Sequence, residues 1–338
     1  MLKNNFIVVS IKKYFITLLC LVFLFSLLFF SETNLIAAKN GIMLWGESVL
    51  PTLFPFFVAT EILCNTNIIH IAGKYLKNIV KKLFNVPGEG VIALLLGIIS
   101  GYPTGAKVIV NLKEKGILTK EEAERLLSFT NNSGPLFILG AIGVSFLKYK
   151  ELGYLLLIIH ILASLTVGII FRNWKKNFNL NRVCKKEEFD IHKNIAISEI
   201  GEILGNSIKK AILTILNIGG FIVIFSVIIS ILDNSNFFIF VGNILNLIGI
   251  QSELVIGILK GMLELTTGAK AVSLLEFSNL NIAIISFITG FGGISVMLQV
   301  YSIIGKENIS IKPYIYGKIL QGLFAFIYTI IILNFCNI

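Results

Sequence analysis

Gly97-Ile98-Ile99-Ser100-Gly101-Tyr102-Pro103-Thr104-Gly105-Ala106-Lys107 and Gly257-Ile258-Leu259-Lys260-Gly261-Met262-Leu263-Glu264-Leu265-Thr266-Thr267-Gly268-Ala269-Lys270 are two versions of one stretch. Each is an apolar run broken by glycine that ends in Thr-Gly-Ala-Lys. Each then continues into more apolar sequence, Val108 to Leu112 and Ala271 to Leu275. Corresponding interruptions in the two halves of a membrane protein point to a substrate site near the bilayer midplane.

The surrounding chain has the composition of a membrane protein. Of 338 residues, 55% are hydrophobic and 14% charged, against about 25% charged in soluble domains. Mean hydropathy is +0.86. The apolar runs are continuous and do not alternate with polar residues, which excludes a porin-like barrel. The net charge of +10 comes from basic residues gathered between apolar runs. That is the positive-inside pattern of cytoplasmic loops, so the charge reports topology and not nucleic-acid binding.

Little material exists for catalysis. Cys20, Cys64, Cys184 and Cys336 lie far apart without metal-ligand spacing, and His70, His160 and His192 are near no acidic cluster. Asp190 and Asp233 are the only aspartates and fall in loops. The sequence therefore predicts no enzyme, no cofactor and no metal. His160, inside a plain span, reads as helix packing.

Outward from the two stretches, one order of elements occurs twice. In the first half, Ser48 to Ile69 is a Pro-kinked span and His70 to Pro87 a basic amphipathic helix for the cytoplasmic surface. Val91 to Leu112 is the first broken segment, Leu126 to Leu147 a span interrupted at Asn131-Asn132-Ser133-Gly134-Pro135, and Leu152 to Phe171 a plain span. In the second half come Ser207 to Leu232, an interfacial Phe237 to Ile250, and the broken Leu254 to Leu275. Ile282 to Ile304, interrupted at Gly290-Phe291-Gly292-Gly293, and Ile315 to Leu333 complete it. Thr119 with Glu121-Glu122 marks a capped helix start.

Each arm of a broken segment has about 11 residues and reaches about 16 Å, half of a hydrocarbon core of about 30 Å. A re-entrant hairpin turning at Gly101-Tyr102-Pro103 fits this as well as a broken span does, and the expected fold takes the hairpin. Tyr14 to Phe30 reads as a retained first span with the N-terminus cytoplasmic. Counting from there, each half crosses three times and the halves are inverted. The expected fold is an all-α polytopic membrane protein of two inverted repeats, each with a re-entrant hairpin. Its expected divisions are an N-terminal helix (1–40), a first repeat (41–171, hairpin 91–112), a basic cytoplasmic linker (172–202) and a second repeat (203–338, hairpin 254–275). The expected location is the cell membrane, with several passes.

At the tips, Tyr102 precedes a proline and leaves helical geometry. Thr104 and Thr267 are then expected to cap the following half-helices. Lys107 and Lys270 fall in their first turns, where a cation opposes the helix dipole. Two such lysines near the membrane middle predict an anionic solute. The competing reading is internal: each lysine pairs with Glu61, Glu47 or Glu264, and the glycines only allow close packing. Asn131, Asn132 and Ser133 add neutral donors and acceptors in an apolar run. The candidate solute-binding residues are Tyr102, Thr104, Gly105, Lys107, Asn131, Asn132, Ser133, Thr266, Thr267, Gly268 and Lys270.

Through Ser100 to Lys107, Asn131 to Pro135 and Glu264 to Lys270, the chain resembles the YlbJ family of sporulation integral membrane proteins over essentially its whole length. That family is similar to proteins with the nucleoside-recognition Gate domain, found also in concentrative nucleoside transporters and ferrous-iron permeases. The resemblance implies opposed hairpins around a midplane site and a part in spore cortex formation. The acidic and Gln-bearing tips of nucleoside transporters are replaced by Thr-Gly-Ala-Lys, so nucleoside specificity does not carry over. Two functions are expected. One is a permease for a small polar, anionic solute. The other is a scaffold that recruits cortex-assembly proteins through the linker. The partners are then a solute, the lipid bilayer and, for the scaffold, sporulation membrane proteins, with a homo-oligomer left open.

Overall fold

A computed structural model describes residues 2–64, 66, 68–175, 197–305 and 307–336. Every described regular element is helical. Four helices are long and apolar enough to cross a membrane, and the number rises to as many as six if each of two bent pairs forms one span. The basic linker expected at 172–202 lies largely outside the described residues.

The chain enters through α1 (Leu2–Phe29), which turns by 101° into the helix that starts at Ser31. That helix, α2 (Ser31–Met43), passes through a π-helical turn (Leu44–Val49) into α3 (Leu50–Cys64). Pro55 lies inside α3, and α2 and α3 both pack on the long α9 (Ile197–Asn234). Neighbouring protein is what lets a membrane helix tolerate a proline. The basic amphipathic helix is α4 (Ile68–Phe84), with Tyr75 and Ile79 exposed and Val80 and Phe84 buried.

The first broken segment is a helical hairpin, α5 (Val91–Ser100) and α6 (Thr104–Glu114), whose arms pack on each other. It seats on α7 (Lys120–Thr130). Thr119 caps α7 as expected: its Oγ1 accepts from Glu122 N–H at 3.2 Å, and Glu122 Oε2 accepts from Thr119 N–H at 3.0 Å. After α7 the backbone is non-helical at Asn131–Gly134, then resumes as a wide π-helix (Leu136–Phe146) before α8 (Lys150–Phe171).

Beyond α9 the order recurs. α10 (Phe237–Asn246) leads to a second hairpin, α11 (Ser252–Leu263) and α12 (Leu265–Ser273). α13 (Asn279–Phe291) and α14 (Gly293–Ile304) are parted at Gly292, and α15 (Lys312–Cys336) ends the chain. The centre of the molecule is α13, α15, α8 and α7, each packed against at least one of the others. One apolar cluster collects around the first hairpin (Ile109, Leu112, Phe129) and another around the second (Ala269, Val272, Ile285). The outward faces of α8, α9 and α15 carry exposed Ile158, Leu213 and Ile327. In water such surfaces mark an interaction site; on spans of this length they face lipid.

Candidate functional site

The two hairpin tips, the first helix break and the helix after the second line one cavity of about 480 Å³, within the range of small-molecule sites. Tip one contributes Ser100, Gly101 and Tyr102, and tip two contributes Glu264, Leu265 and Thr266. Ser133 and Gly134 come from the first break, and Ser295 and Gln299 from the helix after the second. The apolar wall is drawn from α3, the π-helix and α9, with Leu53, Phe137 and Ile222 among its members.

Glycines bring these parts together. Gly101 has φ +80°, a conformation a side chain resists, and an added Cβ would reach Gly134 N at 2.8 Å. Gly292 has φ +84°, and a Cβ there would meet the Tyr102 hydroxyl at 2.8 Å. Tyr102 thereby reaches from the first half to the break of the second, where its hydroxyl donates to Thr289 O at 3.4 Å. The Tyr102–Pro103 peptide is cis.

The expected caps are corrected. Pro103, not Thr104, precedes the first helical residue of α6: Lys107 N–H bonds Pro103 O at 3.2 Å. Thr104 Oγ1 is buried without a protein partner. At tip two the cap is Glu264, in extended geometry, and not Thr267. The Glu264 carboxylate accepts from Thr266 N–H at 3.0 Å and from Thr267 N–H and Oγ1–H at 2.7 and 2.8 Å. A carboxylate at a helix N-terminus is stabilised by the dipole. Glutamate is outside the usual set of N-cap residues, so the sequence pattern favoured the threonine.

The lysines are also corrected. Neither Lys107 nor Lys270 lines the cavity. Lys107 pairs with Glu61 at 2.7 Å, donates to Thr214 Oγ1 at 2.9 Å and lies over the Phe57 ring. It thus ties α6 to α3 and α9. Lys270 is exposed in the last turn of α12. The charges lining the cavity are Glu47 and Glu264, and no basic residue joins them. Neither lysine therefore adds positive charge to this cavity.

Behind the first break lies a buried polar network. Asn131 Nδ2 donates to Tyr314 Oη at 3.1 Å, and Asn132 Nδ2 to Phe129 O and Ser164 Oγ at 2.9 and 3.2 Å. Gln321 Nε2 donates to Asn132 Oδ1 at 2.8 Å. His160 Nε2 accepts from Ser133 N–H at 3.2 Å, so His160 does pack by hydrogen bonding. Of the expected site residues, Tyr102, Ser133 and Thr266 face the cavity and Asn131 and Asn132 stand behind it. Gly105 and Gly268 pack the hairpins: a Cβ on Gly105 would overlap Thr130 O, and one on Gly268 would overlap Gly261.

Sequence reasoning missed Lys318, Gln321 and Tyr314 of α15. All three are fully buried. Their signal was present, because a lysine and a glutamine one helical turn apart within an apolar span are costly unless they face protein. Among the described residues no group of three His, Cys, Asp or Glu could hold a metal.

Residues 47–147 match the family model described as Gate, nucleoside recognition. That match runs from the π-helical turn before α3 through tip one and the first break to the end of the π-helix. Over 312 residues, 88% of this chain and 76% of the relative, the sequence is 36% identical to sporulation integral membrane protein YlbJ of Bacillus subtilis (strain 168). No solved structure matches the chain.

Proposed function

Since the chain belongs to the YlbJ family of sporulation integral membrane proteins, we propose that it is a secondary permease serving spore cortex formation. Its solute is small and polar and binds between the two hairpin tips. The observation that carries this reading is the cavity lined by both tips and by Ser133 and Gly134 of the first break. Discontinuous helices meeting at such a cavity are the usual construction of a transporter site. In this reading the hairpins enter from opposite faces as halves of an inverted repeat.

The lining favours a solute rich in hydroxyl or amine donors. Glu47, Glu264 and Gln299 offer acceptors, Ser100, Ser133, Thr266 and Ser295 offer hydroxyls, and no cation balances an anion. The match to a nucleoside-recognition model makes nucleosides the first class to try, with polyols and amino acids beside them.

The test is purified full-length protein challenged with a nucleoside, a polyol, an amino acid and a dicarboxylate, by thermal shift and by uptake into proteoliposomes. Binding is expected for a neutral or cationic member and none for the dicarboxylate. Ala141→Trp, which fills the cavity from the π-helix, should abolish that binding in a folded protein. Dicarboxylate uptake, or solute uptake undiminished by Ala141→Trp, contradicts the reading.

A further inference from the structure

A second space adjoins the cavity, on the far side of two side chains. It is a crevice of about 220 Å³ between α6, α9 and α14, with Pro103, Lys107, Thr214, Asn217 and Ile303 in its lining. Ile218 of α9 and Gln299 of α14 belong to both linings. They are 5% and 4% exposed, stand on helices that pack together, and part the crevice from the cavity. Tip one borders the same partition, with Tyr102 in the cavity and Pro103 in the crevice.

The two spaces lead away from that partition in opposite directions. On α9, Thr214 of the crevice, Ile218 of the partition and Ile222 of the cavity follow one another, each about 6 Å and one helical turn further on. The crevice follows α6 and α14 toward their C-terminal ends, where Lys113 pairs with Glu307 at 3.0 Å. The cavity follows the π-helix toward Ser145, beside the start of α8. α8 is a candidate span. Just past its far end Trp174 bonds Glu124, which also accepts from Ser310 N–H in the loop that holds Glu307. Ser145 and the Lys113–Glu307 pair therefore lie toward opposite ends of a span. The crevice is also polar: Lys107 donates to Thr214 Oγ1 at 2.9 Å, and Asn217 Nδ2 to Ser302 Oγ at 3.1 Å. Polar groups at membrane depth belong to water or solute pathways and to helix contacts, not to lipid. The Gln299 amide reaches Ser295 Oγ only at 3.4 Å, a long bond that leaves it capacity for another partner.

Resting on the permease reading above, we propose that Gln299 is the selectivity residue of the route. The solute leaves the cavity between Gln299 and Ile218, enters the crevice, and is released on the face of the Lys113–Glu307 pair. A neutral amide both donates and accepts, so Gln299 can replace the water that a hydroxyl group loses on entering the passage. Ile218 opposite takes the solute's carbon face. The solute that fits this pair is uncharged and hydroxylated, because neither side chain balances a charge in a passage without water. In the structure the passage is shut, and the cavity extends toward Ser145 on the other face.

The test needs no solute: impermeant thiol reagents, one cationic and one anionic, are applied to right-side-out and inside-out membrane vesicles. Ala141→Cys, in the cavity, and Asn217→Cys, in the crevice, are each placed in the cysteine-free full chain. Ala141→Cys should react from one face and Asn217→Cys from the other. Gln299→Ala should speed reaction of Ala141→Cys from the Asn217 face by about tenfold or more, because it removes a packed side chain that only the shut passage uses. Ile218→Ala should do the same, and it keeps the test open should Gln299→Ala fold poorly. In the Ile218→Ala chain, Gln299→Glu should favour the cationic over the anionic reagent from that face, and Gln299→Lys the reverse, since charges act strongly in a narrow, poorly hydrated passage. Asn217→Cys that reacts from the Ala141 face, or from neither because it lies in lipid, overturns the proposal. So does reaction of Ala141→Cys that neither Gln299→Ala nor Ile218→Ala speeds, or a reagent preference that position 299 leaves unchanged. Solute uptake without this labelling pattern overturns the route and leaves the permease reading standing, whereas the pattern without uptake does the reverse.

Discussion

Gly268→Ala is expected to loosen the second hairpin and move its tip. Gly268 lies in α12 where the helix crosses α11, and a methyl group there would overlap the Cα and N of Gly261 and reach Gly257 O at 2.9 Å. Carbon atoms in contact need about 3.5–4 Å, so the arms must part by more than about 1 Å. The obstacle is backbone on the opposite arm, which cannot rotate away as a side chain can. Overpacking of this kind costs about 1–3 kcal/mol, while the better helix propensity of alanine returns up to about 1 kcal/mol. With that full return the net loss is about 0–2 kcal/mol. Gly220→Ala is the matched control: Gly220 lies inside α9 with nothing within 4 Å of an added Cβ, so it should be neutral or gain up to about 1 kcal/mol. Reversible SDS unfolding of both variants in micelles measures the difference. Because α12 begins at the cavity-lining Leu265 and Thr266, the damaged variant should also bind solute more weakly. A Gly268→Ala protein as stable as Gly220→Ala would refute the close approach of the arms.

Lys107→Met leaves Glu61, whose side chain is 6% exposed, with Lys210 at 3.5 Å. The expected loss is about 1–3 kcal/mol, less than for a wholly buried pair because Lys107 is partly solvated and a second cation remains. Glu61→Gln in the same chain should recover much of it, and costs that simply add within about 0.5 kcal/mol would show no coupling. Glu124 predicts an acid limb of stability. Burial raises its pKa, but hydrogen bonds from Lys175, Trp174 and Ser310 outweigh this and hold it below the ordinary 4.5. A depressed carboxylate stabilises the fold above its unfolded pKa, and that contribution fades as pH falls below about 4.5 through the folded value. Glu124→Gln should flatten that limb in a pH series of unfolding midpoints, and an unchanged slope would exclude Glu124 as its source. For the inverted repeat, single cysteines at Lys115→Cys and Asn279→Cys in a cysteine-free background should react with impermeant reagent from opposite sides of the membrane. Labelling from one side would rule out inversion.

The helices were legible because their signals are local. Glycine breaks, the Thr119 capping box and the apolar run lengths each act within a few residues, and the structure has helices where those signals put them. The charges were not legible, because a charge is defined by its partner. Lys107 looks like a ligand group beside its tip, yet Glu61 lies 46 positions earlier and reaches it only through the packing of α3 against α6. Lys318 looks like an incidental lysine near the start of a span. Its meaning comes from Asn131 and Tyr102, roughly two hundred positions away in the chain. Glu264 was read only as a possible partner for a lysine, because capping preferences favour shorter side chains. Local pattern pointed to the two tips, which line a common cavity, and to two lysines that do not line it.

The contacts between tips and breaks join the two halves of the molecule at the cavity. Each tip rests on the break of its own half: Gly101 of tip one on Gly134, and the Leu263–Leu265 turn of tip two on Gly293. Those contacts alone would let the halves move independently. Tyr102 removes that independence. Its hydroxyl bonds Thr289 O and sits against Gly292 in the second half, while its ring covers Lys318 of α15. Ser133 Oγ, at the first break, lies 3.5 Å from the same Thr289 carbonyl. Tip one therefore cannot leave the cavity without changing the surroundings of the second break and of the buried lysine together. A close-packed interior has discrete arrangements and does not deform smoothly, so the position of tip one, the second break and the surroundings of Lys318 change as parts of one event.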